Sequence, residues 1–366
     1  MWYDPSTGQL RDDALDVDAG FIAKQSGLSE DRVLIALEAQ QRIDNLLAVV
    51  QSEFPDTFVG LYWDEDLRAI AQFKGQAPRE AIRILETSGV NVAAELVEYS
   101  ISELGDLKDA VAQSLAARGV DDSAVALDPR RQVILVTIGS ATADGTSPAT
   151  IANDLRAEFG GSPVEIEVVD GPIFTEWTGY GGGAVGTASA LSCTVGFTVI
   201  SGSTNGVATA GHCGSGLNLY KDLFTGASHS MTYKNGVVGF WGDFEWFTTS
   251  GTELDDYYRP TGALYDVSGV KNSFSNGETL FWWGWGTYPT QWTSTVGWTN
   301  VSAGGIGHLV CMVGHGGAGG DSGGPVYVGN TSAGFIMGAA IIGGAPRSCF
   351  SQSRYIDDAI GVSIKQ

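Results

Sequence analysis

Two kinds of hydrophobic periodicity divide the 366-residue chain near residue 172. In the first half, Val33, Leu34, Leu37, Ile43, Leu46, Leu47 and Val50 recur close to helical spacing behind Ser29, a capping residue, with Glu30 and Asp31 in the first turn where the helix dipole favours acids. Alternation over Phe58 to Trp63 and Leu67 to Phe73, broken at Asp64-Glu65-Asp66, predicts a hairpin. A helix from about Pro78 to Thr87 and a strand from about Val92 to Tyr99 complete a unit. After a second long helix, about Ser102 to Arg118, the order returns: strands near Ala124 to Leu127 and Val133 to Ile138, a helix over Ala149 to Phe159, and a strand over Val164 to Val169. Hairpin, helix and strand occurring twice predict two small α+β lobes, each with a sheet covered on one face by helix. Residues 1–28 lie ahead of this pattern and are read as an N-terminal segment without fixed structure.

From Thr187 onward the pattern changes to short runs rich in Val, Thr, Phe and Trp, separated by Gly, Asn and Ser turns. That alternation predicts an all-β barrel or sandwich. Between the halves, residues 172–186 include Tyr180-Gly181-Gly182-Gly183, a flexible junction where a protease can enter. The expected organisation is an α+β module over 29–171, a cleavable linker over 172–186 and an all-β module over 187–366.

Composition assigns the chemistry to the second half. Residues 1–172 hold 30 Asp and Glu against 13 Lys and Arg, whereas all four cysteines, all four histidines and eight of the ten tryptophans follow residue 172. A formal charge of -22 without a basic patch argues against nucleic acid as a partner. No apolar run approaches membrane-spanning length, and Met1-Trp2-Tyr3-Asp4-Pro5 does not open a signal peptide. Four cysteines in a Gly-rich, Trp-rich module fit two disulfides and an oxidising compartment, hence an extracellular address. Neither paired CxxC motifs nor HExxH occurs, so no metal and no cofactor is expected.

The most informative residues are Gly319-Gly320-Asp321-Ser322-Gly323-Gly324-Pro325. They present one hydroxyl on a backbone nearly bare of side chains, which a peptide bond can approach and whose N-H groups can face a carbonyl oxygen under attack. A serine needs a base. His212, in Thr209-Ala210-Gly211-His212-Cys213, has a setting that His229, His308 and His315 lack. These two motifs, in this order, resemble the trypsin and chymotrypsin family of serine proteases. Ser192-Cys193-Thr194-Val195-Gly196-Phe197 and the closing Ile360-Gly361-Val362-Ser363-Ile364 resemble its secreted bacterial branch, which includes alpha-lytic protease and the streptogrisins. The likeness covers roughly residues 185–366, with a weaker likeness to that branch's proregions over 30–170.

The resemblance implies two six-stranded β-barrels with the active site between them, preceded by a two-lobed α+β pro-domain that assists folding and then blocks the site. It implies Ser322 as nucleophile, His212 as general base and acid, and an oxyanion hole from the N-H groups of Gly320 and Ser322. Asp243, at the start of the apolar run Phe244-Glu245-Trp246-Phe247, matches the family's aspartate, with Asp255 and Asp256 as competitors and Glu245 expected to be solvated on the opposite side of the strand. Cys193 with Cys213 and Cys311 with Cys349 are the implied disulfides, and Asp321 is expected to anchor the loop.

For the specificity pocket, the family's floor position falls on Gly316 and its wall near Ile342, Gly343 and Gly344. The absence of an aspartate at Gly316 speaks against Lys or Arg and for an apolar or aromatic residue before the cleaved bond, while His315 offers an acidic alternative. Phe281, Trp282, Trp283, Trp285, Tyr288, Trp292 and Trp298 read as core of the second barrel in preference to a sugar platform. The expectation is a monomeric, secreted serine endopeptidase made as a zymogen, with protein or peptide substrates and its own pro-domain as partners. The alternative is a binding protein that keeps the fold without catalysis.

Overall fold

A computed structural model of the chain describes residues 28–366 outside short stretches at 65–67, 121, 140–144, 170–173, 176–182, 188–189, 224–225, 251–255 and 259–263, together with residues 15, 18–20 and 22–24. Helix α1 (Glu30–Glu53) starts at Ser29, whose side chain accepts the Arg32 N-H. It leads into β1 (Phe58–Trp63), β2 (Ala69–Lys74), α2 (Arg79–Glu86) and β3 (Val92–Val97), with β1 antiparallel and β3 parallel to β2. Ile43, Leu47 and Val50 of α1 pack with Ala81 and Leu85 of α2 over Phe58, Leu61, Ala71 and Phe73.

The second lobe repeats this plan. Helix α3 (Ile101–Ala117) opens with a capping box in which Ser100 and Glu103 each satisfy the other's backbone N-H. Strands β4 (Ser123–Asp128) and β5 (Val133–Ile138) pair antiparallel, and helix α4 (Pro148–Glu158) returns the chain to β6 (Val164–Val168), parallel to β5. Both lobes carry the repeated order that the periodicity predicts.

A two-residue strand, β7 (Phe174–Thr175), precedes the first barrel. This barrel contains β8 (Ala184–Thr187), β9 (Ala190–Thr194), β10 (Thr198–Ser201), β11 (Thr204–Thr209), β12 (Leu219–Lys221), β13 (Ser228–Gly239) and β14 (Gly242–Thr249). Strands β9 and β10 act as one bent strand. Val195 N-H continues the pairing with the β8 side at Gly183, and Gly196 N-H takes up the pairing with β11 at Ala208. The circuit β8, β9/β10, β11, β14, β13, β12 and back to β8 therefore closes with six strands.

Short strands β15 (Asp256–Tyr258), β16 (Leu264–Asp266) and β17 (Gly269–Val270) lead to the second barrel. It is formed by β18 (Thr279–Trp282), β19 (Trp292–Ala303), β20 (Ile306–Met312), β21 (Pro325–Val328), β22 (Thr331–Ile342) and β23 (Ala345–Gln352), and the β18 to β19 pairing closes it. Helix α5 (Ile356–Ile360) and β24 (Ser363–Ile364) carry the C-terminus back onto β10. Alternation along β18 gives the tryptophans their places. Phe281 and Trp283 enter the core between the barrels with Phe197, Phe244, Tyr327 and Phe335, whereas Leu280 and Trp282 face the second barrel's own core.

The halves join through backbone as well as side chains. Strand β4 adds antiparallel to β19, with Val125 opposite Ser302, so the second lobe's sheet continues that of the barrel. Trp63 N-H donates to Asn276 O at 2.7 Å. Leu15, Ala19, Val33 and Leu37 join the second barrel's core cluster with Leu280 and Val328, and Asp18 accepts the Gly329 N-H at 3.3 Å. Part of segment 1–28 thus differs from the unstructured expectation: residues 18–20 and 22–24 are helical, because Leu15 and Ala19 find an apolar seam at the barrel's end that no local sequence pattern reveals.

Gly277 sits at φ +82°, and a Cβ there would run into the Trp63 carbonyl. Gly277→Ala is therefore expected to loosen the first lobe selectively, costing about 1–2 kcal/mol in backbone conformation alone. Amide exchange at Trp63 should accelerate by roughly tenfold or more while β22 and β23 stay protected; equal loosening of both would show that the contact is not local.

Candidate active site

His212 lies in a single 3-10 turn, Gly211–Cys213, directly after β11. That turn presses against β13 and β14 so closely that a Cβ on Gly211 would meet the carbonyls of Val237 and Phe244 and Asp243 Oδ1. The approach lets one carboxylate hold the imidazole twice. Asp243 Oδ1 accepts the His212 backbone N-H at 2.8 Å, and Oδ2 lies 2.5 Å from Nδ1. With Nδ1 engaged by a carboxylate, Nε2 is the nitrogen positioned to accept a proton. Asp243 is fully buried, and its own N-H donates to Ser351 Oγ at 3.0 Å. Its competitors fall elsewhere: Asp256 pairs across a hairpin with Asp266, and Asp255 lies outside the described residues.

Ser322 arrives from the second barrel. Its loop is bolted to the first by Thr194, whose N-H donates to Ser322 O at 2.8 Å and whose Oγ1 donates to Gly320 O at 2.6 Å. Thr209, three residues before His212, donates its hydroxyl to Thr194 O at 2.5 Å. Gly323 fits at φ +81° where any side chain would strike Thr209 Oγ1 and Thr194 O. The hydroxyl-bearing loop is thereby bonded to Thr194 and packed against Thr209, three residues ahead of His212. Ser322 Oγ is buried and makes no hydrogen bond among the described residues. Gly320, at φ +99°, and Ser322 likewise donate their N-H groups to no described acceptor.

Asp321 points away from this centre. It accepts from Ala318 N at 2.9 Å and from Thr287 N and Oγ1 at 3.1 Å, tying the loop to the turn after β18. Burial pushes its carboxyl up to about 6 despite those donors.

Disulfides join Cys193 to Cys213 and Cys311 to Cys349. The first ties β9 to the His212 turn. Cys193, His212 and Cys213 are the one metal-type grouping among the described residues, but the disulfide consumes both thiolates a metal would require.

The pocket residues divide. Gly316 N-H donates to Ser348 Oγ at 3.0 Å, Gly316 O accepts from Ser348 Oγ at 2.7 Å and Trp282 Nε1 at 3.3 Å, and a side chain at Gly316 would strike the Trp292 ring. Ser348 stands opposite Ala339 on β22. Ile342, Gly343 and Gly344 do not reach this corner. They form the end of the β22 to β23 hairpin, about 13 Å further along the strand from Ala339. Gly343 and Gly344 have φ +58° and +69°, the conformation a two-residue hairpin turn demands, and Gly344 faces Glu167 of the second lobe. The glycines serve the turn, and Ala339 and Ser348 stand beside Gly316.

Glu245 also differs from expectation. Two residues beyond Asp243 on a strand, it must share that residue's face. It is buried opposite Thr209 and Gly236, and its Oε1 has no hydrogen-bond partner among the described residues. The sequence signal was present in the two-residue spacing. Thr194, Thr209, Ser348 and Ser351 carried no such signal, since their roles depend on contacts between distant strands.

No protein-family model matches the chain. It is similar to several solved structures. They include Cellulomonas bogoriensis chymotrypsin (22% identity, TM-score 0.40, 51% of this chain and 97% of that one). Nocardiopsis protease, NAPase, is similar at 18% identity and a TM-score of 0.41, over 51% of this chain and 98% of that one. Thermobifida fusca protease A is similar at 23% identity and a TM-score of 0.38, over 51% and 98% respectively. The two closed six-stranded barrels constitute the chymotrypsin-like fold. The α+β lobes precede it in the chain.

Burial, followed by the nearby Asp243 charge, pushes the Glu245 carboxyl up to about 8, so it is protonated at neutral pH. An unfolded glutamate titrates near about 4.3, so between about pH 4.3 and that raised value the unfolded chain releases a proton the native state keeps. This group's contribution to stability is greatest below the window, falls as pH rises through it and levels off above. Glu245→Gln should remove the slope, matching the parent near about pH 4 and exceeding it near about pH 8 by on the order of a few kcal/mol. Denaturant midpoints of both proteins across that range check the expectation; parallel curves would contradict it.

Proposed function

We propose that this chain is a serine endopeptidase made as a zymogen, in which Ser322 attacks, His212 moves the proton and Asp243 holds the imidazole. The observation that carries this reading is the doubly bonded His212–Asp243 pair, with a Gly-rich serine loop bonded to Thr194 and packed against Thr209. Ser322 Oγ adds to the substrate carbonyl as its proton passes to His212 Nε2. The Gly320 and Ser322 N-H groups, uncommitted within the described structure, receive the oxyanion. Collapse of the tetrahedral species expels the amine with the proton from His212, and water then cleaves the acyl-enzyme by the reverse sequence of transfers.

Regulation by the preceding module is supported at the substrate edge. Strand β7 lies antiparallel on β22, with Thr175 opposite Ala339 and Phe174 opposite Ala340. Ile336, three residues earlier on β22, accepts the Gly323 N-H at 2.7 Å, so β7 occupies an edge whose course leads to the Ser322 loop. Leu135 of β5 packs in one cluster with Ala340 and Ile342 of the same strand. A substrate needs that edge, and the linker must therefore leave it. Cleavage between Thr175 and Gly186 frees the site, and the helical contacts of Val33 and Leu37 with the second barrel give the module a template role in folding. The tryptophans around Gly316 favour an apolar or aromatic residue before the cleaved bond. Two disulfides favour an extracellular setting, with protein or peptide substrates.

A fluorophosphonate should label the processed wild-type protein and leave Ser322→Ala unlabelled. Folded, processed protein that takes no label would instead identify a protease-fold binding module. Asp243→Asn should reduce kcat on the order of 10⁴-fold, by analogy with the chymotrypsin-type triad. N-terminal sequencing of the active chain should begin within residues 176–186; activity in a chain left intact would contradict the zymogen reading.

A further inference from the structure

The turn between β13 and β14, just before Asp243, carries Phe240 and Trp241, which close on His308 of β20. Ring centroids lie 4.7 Å apart for Phe240 and His308 and 5.4 Å for Trp241 and His308, the latter pair stacked. Tyr355 reaches the same imidazole at 4.7 Å. The backbones are equally close, since a Cβ at Gly307 would meet the Phe240 carbonyl. His308 and Asn300 both sit in the left-handed region, at φ +53° and +54°, beside the irregular pairing of β19 with β20.

This corner also receives the N-terminal half. Asn300 Oδ1 lies 3.1 Å from His308 Nδ1, and Asn300 O accepts from Lys108 Nζ of α3 at 3.1 Å. Lys108 is buried, with Asp109 as its rim partner at 3.3 Å. His308 Nε2 is buried and has no hydrogen-bond partner among the described residues. The charged and titratable groups around the ring are Lys108 and Asp109 from α3 and Arg354 and Tyr355 from the turn after β23. The β13 to β14 turn contributes only uncharged rings, and β19 contributes the neutral Asn300.

We propose that the His308 corner is a proton-operated docking point: a proton on His308 repels the buried Lys108 ammonium and weakens the hold of the second lobe on the catalytic module. This names a regulation of the proposed zymogen and rests on that reading. Burial, then Lys108 and Arg354, hold the imidazole below its ordinary range, with Asp109 acting in the opposite sense. Undocking removes Lys108 and readmits water, so the separated state binds the proton more tightly than the docked one. By linkage, acid favours separation, most strongly as pH falls through the ordinary histidine range. Attraction of the imidazolium to Phe240, Trp241 and Tyr355 does not oppose this, because those rings belong to the catalytic module and remain beside His308 in both states.

The test uses the full chain carrying Ser322→Ala, so that no cleavage intervenes. Amide exchange is followed in β4 and its partner segment Thr299–Ala303, corrected for intrinsic rates, at about pH 7.5 and about pH 5. The parent should lose about tenfold or more of its protection there at the lower pH while β22 and β23 hold. His308→Gln and Lys108→Gln should each flatten the dependence. A parent with no such change, or variants that keep the parent's drop, overturns the proposal. If His308→Gln also loses protection in β22 and β23, Lys108→Gln decides, a flat response supporting the switch and an unchanged drop overturning it. Fluorophosphonate labelling of the processed wild type separates the two levels: absent labelling removes the protease reading, whereas labelling with a pH-insensitive interface removes only the switch.

Discussion

Two threonines hold the Ser322 loop against the strand that leads to His212. Both belong to the first barrel: Thr194 binds the carbonyls of Gly320 and Ser322 from the second, and Thr209, three residues before His212, donates to Thr194 O. Each such bond is worth only about 1 kcal/mol net, but leaving a buried carbonyl unpaired costs about 1–3 kcal/mol. The loop therefore has one low-energy seat, and glycines suit it at 320 and 323, where φ is +99° and +81°. Behind this latch, Phe335 wedges edge-on between Phe197 and Phe244 at 5.5 and 5.7 Å, so the barrels share one core instead of sliding on a polar seam. Chemistry assembled across an interface requires that rigidity.

The same strand shows how a buried carboxylate is tolerated and how it is not. Asp243 finds two donors on His212. Glu245, on the same face and equally buried, has an unmatched oxygen and remains protonated. Keeping the second carboxyl neutral limits the first barrel to one anion beneath the imidazole. The N-terminal module meets this assembly at three levels: backbone pairing of β4 with β19, apolar contact of α1 with the second barrel, and β7 along β22. Of these, β7 alone pairs with β22, the strand whose Ile336 accepts the Gly323 N-H beside Ser322.

Much of this was legible along the chain because it depends on local pattern. Helical spacing from Val33 to Val50, the alternation of Phe58–Trp63 and the repeated order of elements all survive folding: Ile43, Leu47 and Val50 bury their stripe within the first lobe, while Val33 and Leu37 at its start extend it onto the second barrel. His212 and Ser322 stand out by their small-residue settings, and Asp243 by the family resemblance, which places an aspartate between those motifs at the head of an apolar strand. The misplaced features depended on tertiary contact or on a missed period. Positive φ in a tight hairpin explains Gly343 and Gly344 without a pocket wall, and Ser348 beside Gly316 has no sequence signature. Glu245 was legible and misread, for a strand places residues 243 and 245 on one side. Leu15 and Ala19 become helical and buried only through a seam contributed some 260 residues away by Leu280.

The most direct test of the account is a crystal structure of the processed protein reacted with a peptide phosphonate. The account predicts a covalent bond from phosphorus to Ser322 Oγ and the phosphoryl oxygen against the N-H groups of Gly320 and Ser322. His212 should lie within hydrogen-bond reach, and the Thr194 bonds to the loop should be intact. Modification at another residue, or an adduct at Ser322 with the loop torn from Thr194 and Thr209, would contradict it.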